Sequence, residues 1–320
     1  MKKYYISAFL VVISILSYGQ QRPQYTQYMI NPFLLNPAVS GTEDYADIRA
    51  GYRNQWTGFD GAPQTMYLSG HVDIGKHLTK LRSKKKNDGF HGVGGILTND
   101  IIGPTNTINL SAAYSYHLTI AKKMYASLGL SAGFQQYSLD ATKLHTWNTL
   151  NTESLLTSNS SFGMGDISLG GWVYGESFYA GASMTQVAPG MTFSGARQLL
   201  NYKMAHHYFV MGGVRIPLDH NYTFIPSLCF KGVSPAPMSF DINAKIRYQD
   251  MLWAAISYRS TDAAAVLMGV IINNMFDVSY SYDYTLSDIG KYTSTGGSHE
   301  IVVGYRLRPN GQVYCPSHLW

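Results

Sequence analysis

Strict alternation of apolar with small or polar side chains, repeated along most of the chain, is the feature that most narrows what this sequence can fold into. Phe276, Val278, Tyr280, Tyr282 and Tyr284 interleave with Asp277, Ser279, Ser281 and Asp283. Phe240, Ile242, Ala244, Ile246 and Tyr248 interleave with Asp241, Asn243, Lys245 and Arg247. The same beat sets Leu128, Leu130, Ala132 and Phe134 against Ser127, Gly129, Ser131 and Gln135, and Ile301, Val303, Tyr305 and Leu307 against Glu300, Gly304 and Arg306. Successive side chains of an extended strand point to opposite faces, so each segment carries one apolar and one polar face. Segments of about ten residues suit a tilted strand crossing a bilayer, with lipid on one side and a polar lumen on the other. A soluble β-sandwich also alternates, and the connections separate the two.

From Tyr45 to Arg308 the pattern gives an all-β chain of about fourteen antiparallel strands, the even number expected of a bacterial transmembrane barrel. Every second connection is short: Ala121-Lys122-Lys123, Gly175-Glu176-Ser177, Pro217 to Asn221, Gln249-Asp250 and Asn273-Asn274. The alternate connections, Thr57 to Pro63, Asn99 to Pro104, Leu139 to Phe162, Val187 to Tyr202, Lys231 to Pro237, Ser260 to Ala263 and Leu286 to Gly297, are mostly longer and richer in Gly, Pro, Ser and Thr. Short periplasmic turns and longer extracellular loops are the asymmetry of an outer-membrane barrel, and that orientation puts the N- and C-terminal segments on the periplasmic side. One connection departs from the rule. Gly75 to Asp88 falls on the turn side, yet is long and carries Lys76, His77, Lys80, Arg82, Lys84, Lys85 and Lys86. It is either a solvated loop or, through Lys84, Lys85 and Lys86, a contact for a periplasmic partner or anionic surface. Tyr125, Tyr137, Trp172, Tyr174, Trp253 and Tyr258 stand toward segment ends, where interfacial girdles are expected, although strand propensity alone favours the same residues.

Met1-Lys2-Lys3 followed by the apolar run Tyr5 to Leu16 reads as a secretory signal peptide over residues 1–19, with Ser17 and Gly19 bracketing the cleavage point. That run is shorter than the ~20 residues a spanning helix needs. With 13% charged residues, 25 Tyr and 31 Gly in 320 residues, the composition is unlike that of a cytosolic enzyme. The net charge of +5 is dispersed apart from the lysine run and accompanied by no nucleic-acid motif, so no nucleic-acid partner is expected. Cys229 and Cys315 are too far apart for a metal-site spacing, and either pair in an oxidising compartment or stay inert.

No motif for catalysis, cofactor or metal emerges. His299-Glu300 lacks a second histidine four residues on, Gly92-Val93-Gly94-Gly95 has no Lys-Ser/Thr following and reads as barrel bends or close strand packing, and His206-His207 face opposite sides of a strand. Polar inward positions such as Asp277, Asp283, Lys245, Arg247 and Arg259 are consistent with the competing idea of a passive porin or specific solute channel.

Residues 20–43 lie between the signal and the barrel. Pro32 and Pro37 disfavour helix in themselves and in Asn31 and Asn36, so the segment reads as an extended, turn-rich strap. Phe33, Leu34, Leu35 and Val39 give it apolar material to pack, either into the lumen or against the periplasmic rim. The stretch Gln24-Tyr25-Thr26-Gln27-Tyr28-Met29, running into Asn31-Pro32-Phe33-Leu34-Leu35-Asn36-Pro37-Ala38-Val39-Ser40-Gly41, resembles the PorP/SprF family of Bacteroidota outer-membrane proteins. Arg53-Asn54-Gln55-Trp56, Gly61-Ala62-Pro63-Gln64-Thr65 and a tail from Tyr305-Arg306-Leu307 to Cys315-Pro316 agree with it, so the resemblance spans the mature chain.

The resemblance implies a non-enzymatic role in type IX secretion. The implied partner is a secreted, adhesin-like cargo whose C-terminal targeting domain is needed for its secretion or surface attachment, with secretion or gliding-motility machinery on the periplasmic side and outer-membrane lipid around the wall. The two longest outer loops are the expected cargo contacts, with Trp147, Leu150, Leu155 and Phe162 in one and Met191, Phe193 and Arg197 in the other, because aromatic, Met and Arg side chains dominate interface hot spots. Packing of those side chains onto the barrel rim is the plainer alternative. The expected organisation is a signal peptide over 1–19, a periplasmic strap over 20–43, a barrel over 44–308 and a periplasmic tail over 309–320.

Overall fold

The alternating segments pair in sequence order and close on themselves. The computed structural model describes residues 22–74, 89–143, 160–188, 192–195, 205–233, 238–260, 262–292 and 297–307. Its strands are β1 (Ala46–Asn54), β2 (Gln64–Asp73), β3 (Phe90–Ile102), β4 (Thr105–Ala121), β5 (Met124–Leu139), β6 (Ser160–Gly175), β7 (Phe178–Thr185) and β8 (Thr192–Gly195). The remainder are β9 (His207–Val214), β10 (Ile216–Pro217), β11 (Tyr222–Val233), β12 (Ser239–Tyr248), β13 (Leu252–Arg259), β14 (Ala263–Ile272), β15 (Phe276–Thr285) and β16 (Gly297–Leu307). Setting aside β8, which lies off the ring against β6, and the two-residue β10, fourteen strands form one closed antiparallel barrel. The seam joins β1 to β16, with Ala46 opposite Leu307 and Asn54 opposite His299. Among the described residues the ring itself has no open edge, which is what allows strands to cross lipid.

The two ends differ as the connections predict. At one, here the turn end, Lys122-Lys123, Glu176-Ser177 and the Gln249-Asp250 and Asn273-Asn274 turns join neighbouring strands. Gln249, Asp250, Asn273 and Asn274 take φ of 47°, 54°, 52° and 54°, the left-handed pair a tight hairpin of this twist requires and asparagine tolerates. The other is the long-loop end. There the connection expected over Asn99 to Pro104 contracts to Gly103 and Pro104, because Asn99 to Ile102 stay in the ladder opposite Ile108 to Thr105.

Outward positions are apolar: Leu128, Leu130, Ile256, Val266, Met268, Phe276 and Ile301 all stand exposed. Five of the six expected girdle residues do not: Tyr125 and Tyr137, opposite the inward Tyr174 and Phe162, are partly buried against the interior. Trp172, Tyr174 and Trp253 occupy inward positions and are buried, whereas Tyr258 does face out. Strand parity decides this, since each lies an even number of residues from an inward neighbour such as Ser168 or Ser257. Trp253 also lies flat over Gly269 on the next strand, where a Cβ would stand 2.4 Å from its ring.

Candidate functional site

The lumen is occupied by the segment before β1. Asn31 and Asn36, each preceding a proline, stay out of the helical region (φ −138°, ψ 66° and φ −140°, ψ 114°, the second extended), and Pro32 and Pro37 open 3-10 turns over Pro32–Leu34 and Pro37–Val39. A third turn spans Gln27–Met29. Within these turns Leu35 N donates to Pro32 O, Ser40 N to Pro37 O and Ala38 N to the Asn36 side chain. A backbone that satisfies itself locally can enter a confined interior without a ladder to join. Of the two expected seats, lumen or rim, the described part of the strap takes the lumen.

Its path crosses the barrel from end to end. The first described residues, Arg22 to Tyr25, lie beside Asp100, Gln186 and His207 at the long-loop end. Gly41, sixteen residues after Tyr25, donates its N–H to His71 Nδ1 (3.2 Å) on β2, and the chain enters β1 at Ala46 from the turn end. The strap bonds to strands all around the ring. Asn31 Nδ2 donates to Ser69 Oγ on β2 (2.9 Å), Asn243 Nδ2 on β12 to Tyr28 Oη (2.7 Å), and Ser279 Oγ on β15 to Gln27 Oε1 (2.6 Å). On the opposite wall Ser183 Oγ donates to Leu35 O (2.6 Å), Ser127 Oγ to Ala38 O (2.7 Å) and Ser115 Oγ to Ser40 O (2.5 Å). Asn36 Nδ2 reaches the carbonyls of Gly171 (3.1 Å) and Ala182 (3.3 Å). Phe33, Leu34, Leu35, Ala38 and Val39 form one buried cluster with Trp172, Tyr174, Tyr179, Phe209 and Met211 of the wall.

Two wall glycines admit the strap. A Cβ on Gly170 would meet Asn36 Oδ1 at 1.9 Å, and one on Gly129 would meet Ala38 N at 2.3 Å. The glycine run of β3 serves the same seat, with Gly92 under Ser40 and Gly94 under Phe33. That is close packing, as expected, but against the strap as well as between strands.

Charge concentrates at the long-loop end around Thr26. Its hydroxyl accepts from Arg53 Nη1 (2.7 Å) and Arg259 Nη2 (3.1 Å) and donates to Asp283 Oδ2 (2.6 Å), while its N–H donates to Glu300 Oε2 (2.8 Å). Arg53 also pairs with Asp283 (2.8 Å) and Glu300 (3.2 Å), and all of these side chains are almost fully buried. A second network at the turn end joins Arg49 to Asp47 (3.0 Å) and Asp277 (3.3 Å), and Arg306 to Asp277 (2.8 Å). Glu43, beside it on the strap, is pushed up to about 8 by burial and then by Asp47. Buried ions tolerate such a setting only when matched and hydrogen-bonded, and here the strap supplies part of the match.

Of the expected cargo contacts, Trp147, Leu150, Leu155, Met191 and Arg197 lie outside the described residues, as do Lys84, Lys85, Lys86, Cys315 and the signal and tail segments. Phe193 falls in β8, of whose side chains nothing is described. Phe162 is not in a loop: β6 begins at Ser160, and Phe162 points inward opposite Tyr137, rings 5.0 Å apart, with 1% exposure. Asn31, Pro32, Phe33, Asn36 and Pro37 come together as the lumenal segment. Sequence reasoning gave no role to Thr26, which stood only within the family-like stretch, or to Glu300, for which inward parity was the only signal. Cys229 faces inward on β11, buried, and has no disulfide partner among the described residues, which do not include Cys315. Among the described residues no group of three or more His, Cys, Asp or Glu is arranged to hold a metal ion.

Residues 17–305 match the family model described as type IX secretion system membrane protein PorP/SprF. No curated protein matches the chain in sequence. Among solved structures, the fold is similar to a TodX monoaromatic hydrocarbon channel mutant (10% identity, 86% of this chain and 94% of that one, TM-score 0.50). It is also similar to the toluene transporter TodX of Pseudomonas putida (10%, 87% and 94%, TM-score 0.48) and to the translocator domain of autotransporter NalP from Neisseria meningitidis (11%, 88% and 94%, TM-score 0.42).

Proposed function

Because the chain belongs to the PorP/SprF family of type IX secretion system membrane proteins, an outer-membrane family with a secretion-related role, we propose that it is a non-enzymatic component needed for secretion or surface attachment of one adhesin-like cargo. The cargo docks through its C-terminal targeting domain on the long-loop end, and gliding motility is a process such a cargo serves. In this reading the turn end faces the periplasm, residues 1–19 are removed on export, and residues 309–320 together with Lys84, Lys85 and Lys86 meet the secretion machinery. Trp147, Leu150, Leu155, Met191, Phe193 and Arg197 are the loop positions offered to the cargo; Phe162, a wall residue, is not among them.

The observation that carries this reading is the filled lumen. Asp277, Asp283, Lys245, Arg247 and Arg259 do point inward, as a porin requires, but each is buried, and Asp283 and Arg259 bond the strap. A water path needs exposed polar walls. A barrel sealed by its own N-terminal segment supports a protein that acts through its ends. The test is deletion of the gene: surface display of one large secreted protein is expected to disappear while permeability to small solutes stays normal. Persistent display of every secreted protein, or a permeability defect alone, would replace this proposal with the channel.

A further inference from the structure

Barrel walls are convex outward, but this one carries a groove of about 480 Å³ on its outer face, running over β11 to β15 toward the turn end. Its origin lies in the cross-strand rows. Ile246, Ala254, Met268 and Tyr280 are directly opposite one another on β12, β13, β14 and β15, and all point outward. Neighbouring strands are about 4.8 Å apart, so Ile246 and Met268 stand roughly 9.6 Å apart with only the methyl of Ala254 between them. That trough is one hydrocarbon chain wide. The next row, Tyr248, Leu252, Val270 and Val278, continues it toward the turns. There Tyr222 and Tyr248, rings 5.0 Å apart, close its end with phenol groups at the level where aromatic residues meet lipid headgroups.

We propose that this groove binds one acyl chain of a phospholipid from the leaflet at the turn end, holding it longer than the lipids that slide past the rest of the wall. The occupant follows from the setting. The groove opens into the hydrocarbon of the outer membrane, its lining is aliphatic and aromatic, and its volume lies within the ~300–1,000 Å³ typical of ligand sites. The Tyr280 hydroxyl is held by His299 Nδ1 (2.7 Å), so the phenol groups of Tyr222 and Tyr248 at the turn end give the chain its direction, with the headgroup toward the turns. The leaflet rests on the orientation proposed above; the groove itself does not.

The experiment is native mass spectrometry of the full detergent-extracted barrel after graded delipidation, with heat-shifted electrophoretic mobility as the check on folding. The wild type is expected to keep one phospholipid. Ala254→Phe, which fills the floor from the lipid side without touching the lumen, is expected to lower its retention roughly tenfold, as loss of a few buried methylenes implies. Ala254→Leu is expected to fall between. Ala264→Phe, an outward position opposite Tyr258 and outside the groove, is expected to retain the lipid as the wild type does. A wild type that keeps no lipid, or an equal response of the Ala254 and Ala264 variants, overturns the groove. Retention of lipopolysaccharide that Ala254→Phe abolishes overturns the assigned leaflet, and with it the orientation, while leaving the groove intact.

Discussion

Gly170→Ala is expected to unseat the strap, and Gly171→Ala, one residue on, to do nothing. A Cβ at position 170 would stand 1.9 Å from Asn36 Oδ1 and 3.1 Å from Pro37 Cδ, whereas at 171 the nearest atom is the flexible Leu128 Cδ2 at 3.7 Å. To reach ordinary contact the Asn36-Pro37 unit must move by roughly 1.5 Å, beyond what a close-packed interior absorbs. The bonds at stake are Asn36 Nδ2 to Gly171 O and Ala182 O, and Ala38 N to Asn36 Oδ1. At about 1 kcal/mol for each buried hydrogen bond, and more where a group is left unsatisfied, the strap loses on the order of 3–4 kcal/mol of seating energy. The readouts are the temperature of the electrophoretic mobility shift and single-channel conductance in a planar bilayer. Gly170→Ala should lower the first and produce intermittent openings in the second, with Gly171→Ala silent in both. A Gly170→Ala barrel that stays closed and keeps the wild-type shift temperature would refute the idea that this contact holds the seal.

Arg53→Met leaves Asp283 and Glu300 buried without their shared cation, and the barrel should lose about 3–5 kcal/mol, read as a fall in the mobility-shift temperature that Asp283→Asn with Glu300→Gln in the same chain partly restores. If the strap runs from the long-loop end downward, Pro23→Cys should react with a membrane-impermeant maleimide on intact cells and Lys122→Cys only after permeabilisation; the reverse result inverts the barrel. Glu43 has its folded value raised from 4.5 to about 8. Its contribution to stability is therefore complete below about pH 4.5 and lost as pH rises through about 8, so wild type and the neutral mimic Glu43→Gln should share a shift temperature at low pH and the wild type should fall progressively below the variant across that window, and a pH-independent difference would count against a protonated Glu43.

The wall was legible in the sequence because a strand's two faces met two different media, lipid and lumen, and the side chains recorded the difference. The turns were legible because Asn273, Asn274 and Asp250 are residue types that accept positive φ, which Gln249 takes here without that preference. The start of β6 was not. Ser160, Ser161 and Phe162 read as loop, and only pairing with Leu139, Ser138 and Tyr137 makes them wall. Register with a neighbouring strand is a long-range property that local composition does not carry.

The misplaced aromatics teach more than the correct strands. Inward positions of a water-filled barrel should be polar throughout, and on β12 and β15 they are, with Asp241, Lys245, Asp277 and Asp283, joined by Glu300 on β16. On β6, β7 and β9 the same parity carries Trp172, Tyr174, Tyr179, Phe209 and Met211. The wall matches the strap patch by patch: Phe33, Leu35, Ala38 and Val39 share a buried cluster with that apolar patch, Met29 shares another with Trp253, Leu267 and Ile271 of β13 and β14, and Thr26 and Gln27 bond Asp283, Ser279 and Glu300. An aqueous channel has no use for five buried aromatic or Met side chains on one wall, since exposing them to water costs what burial would gain. Inward apolar patches on a barrel wall are therefore a mark, readable before any coordinates, of a lumen filled by an amphipathic segment of the chain itself.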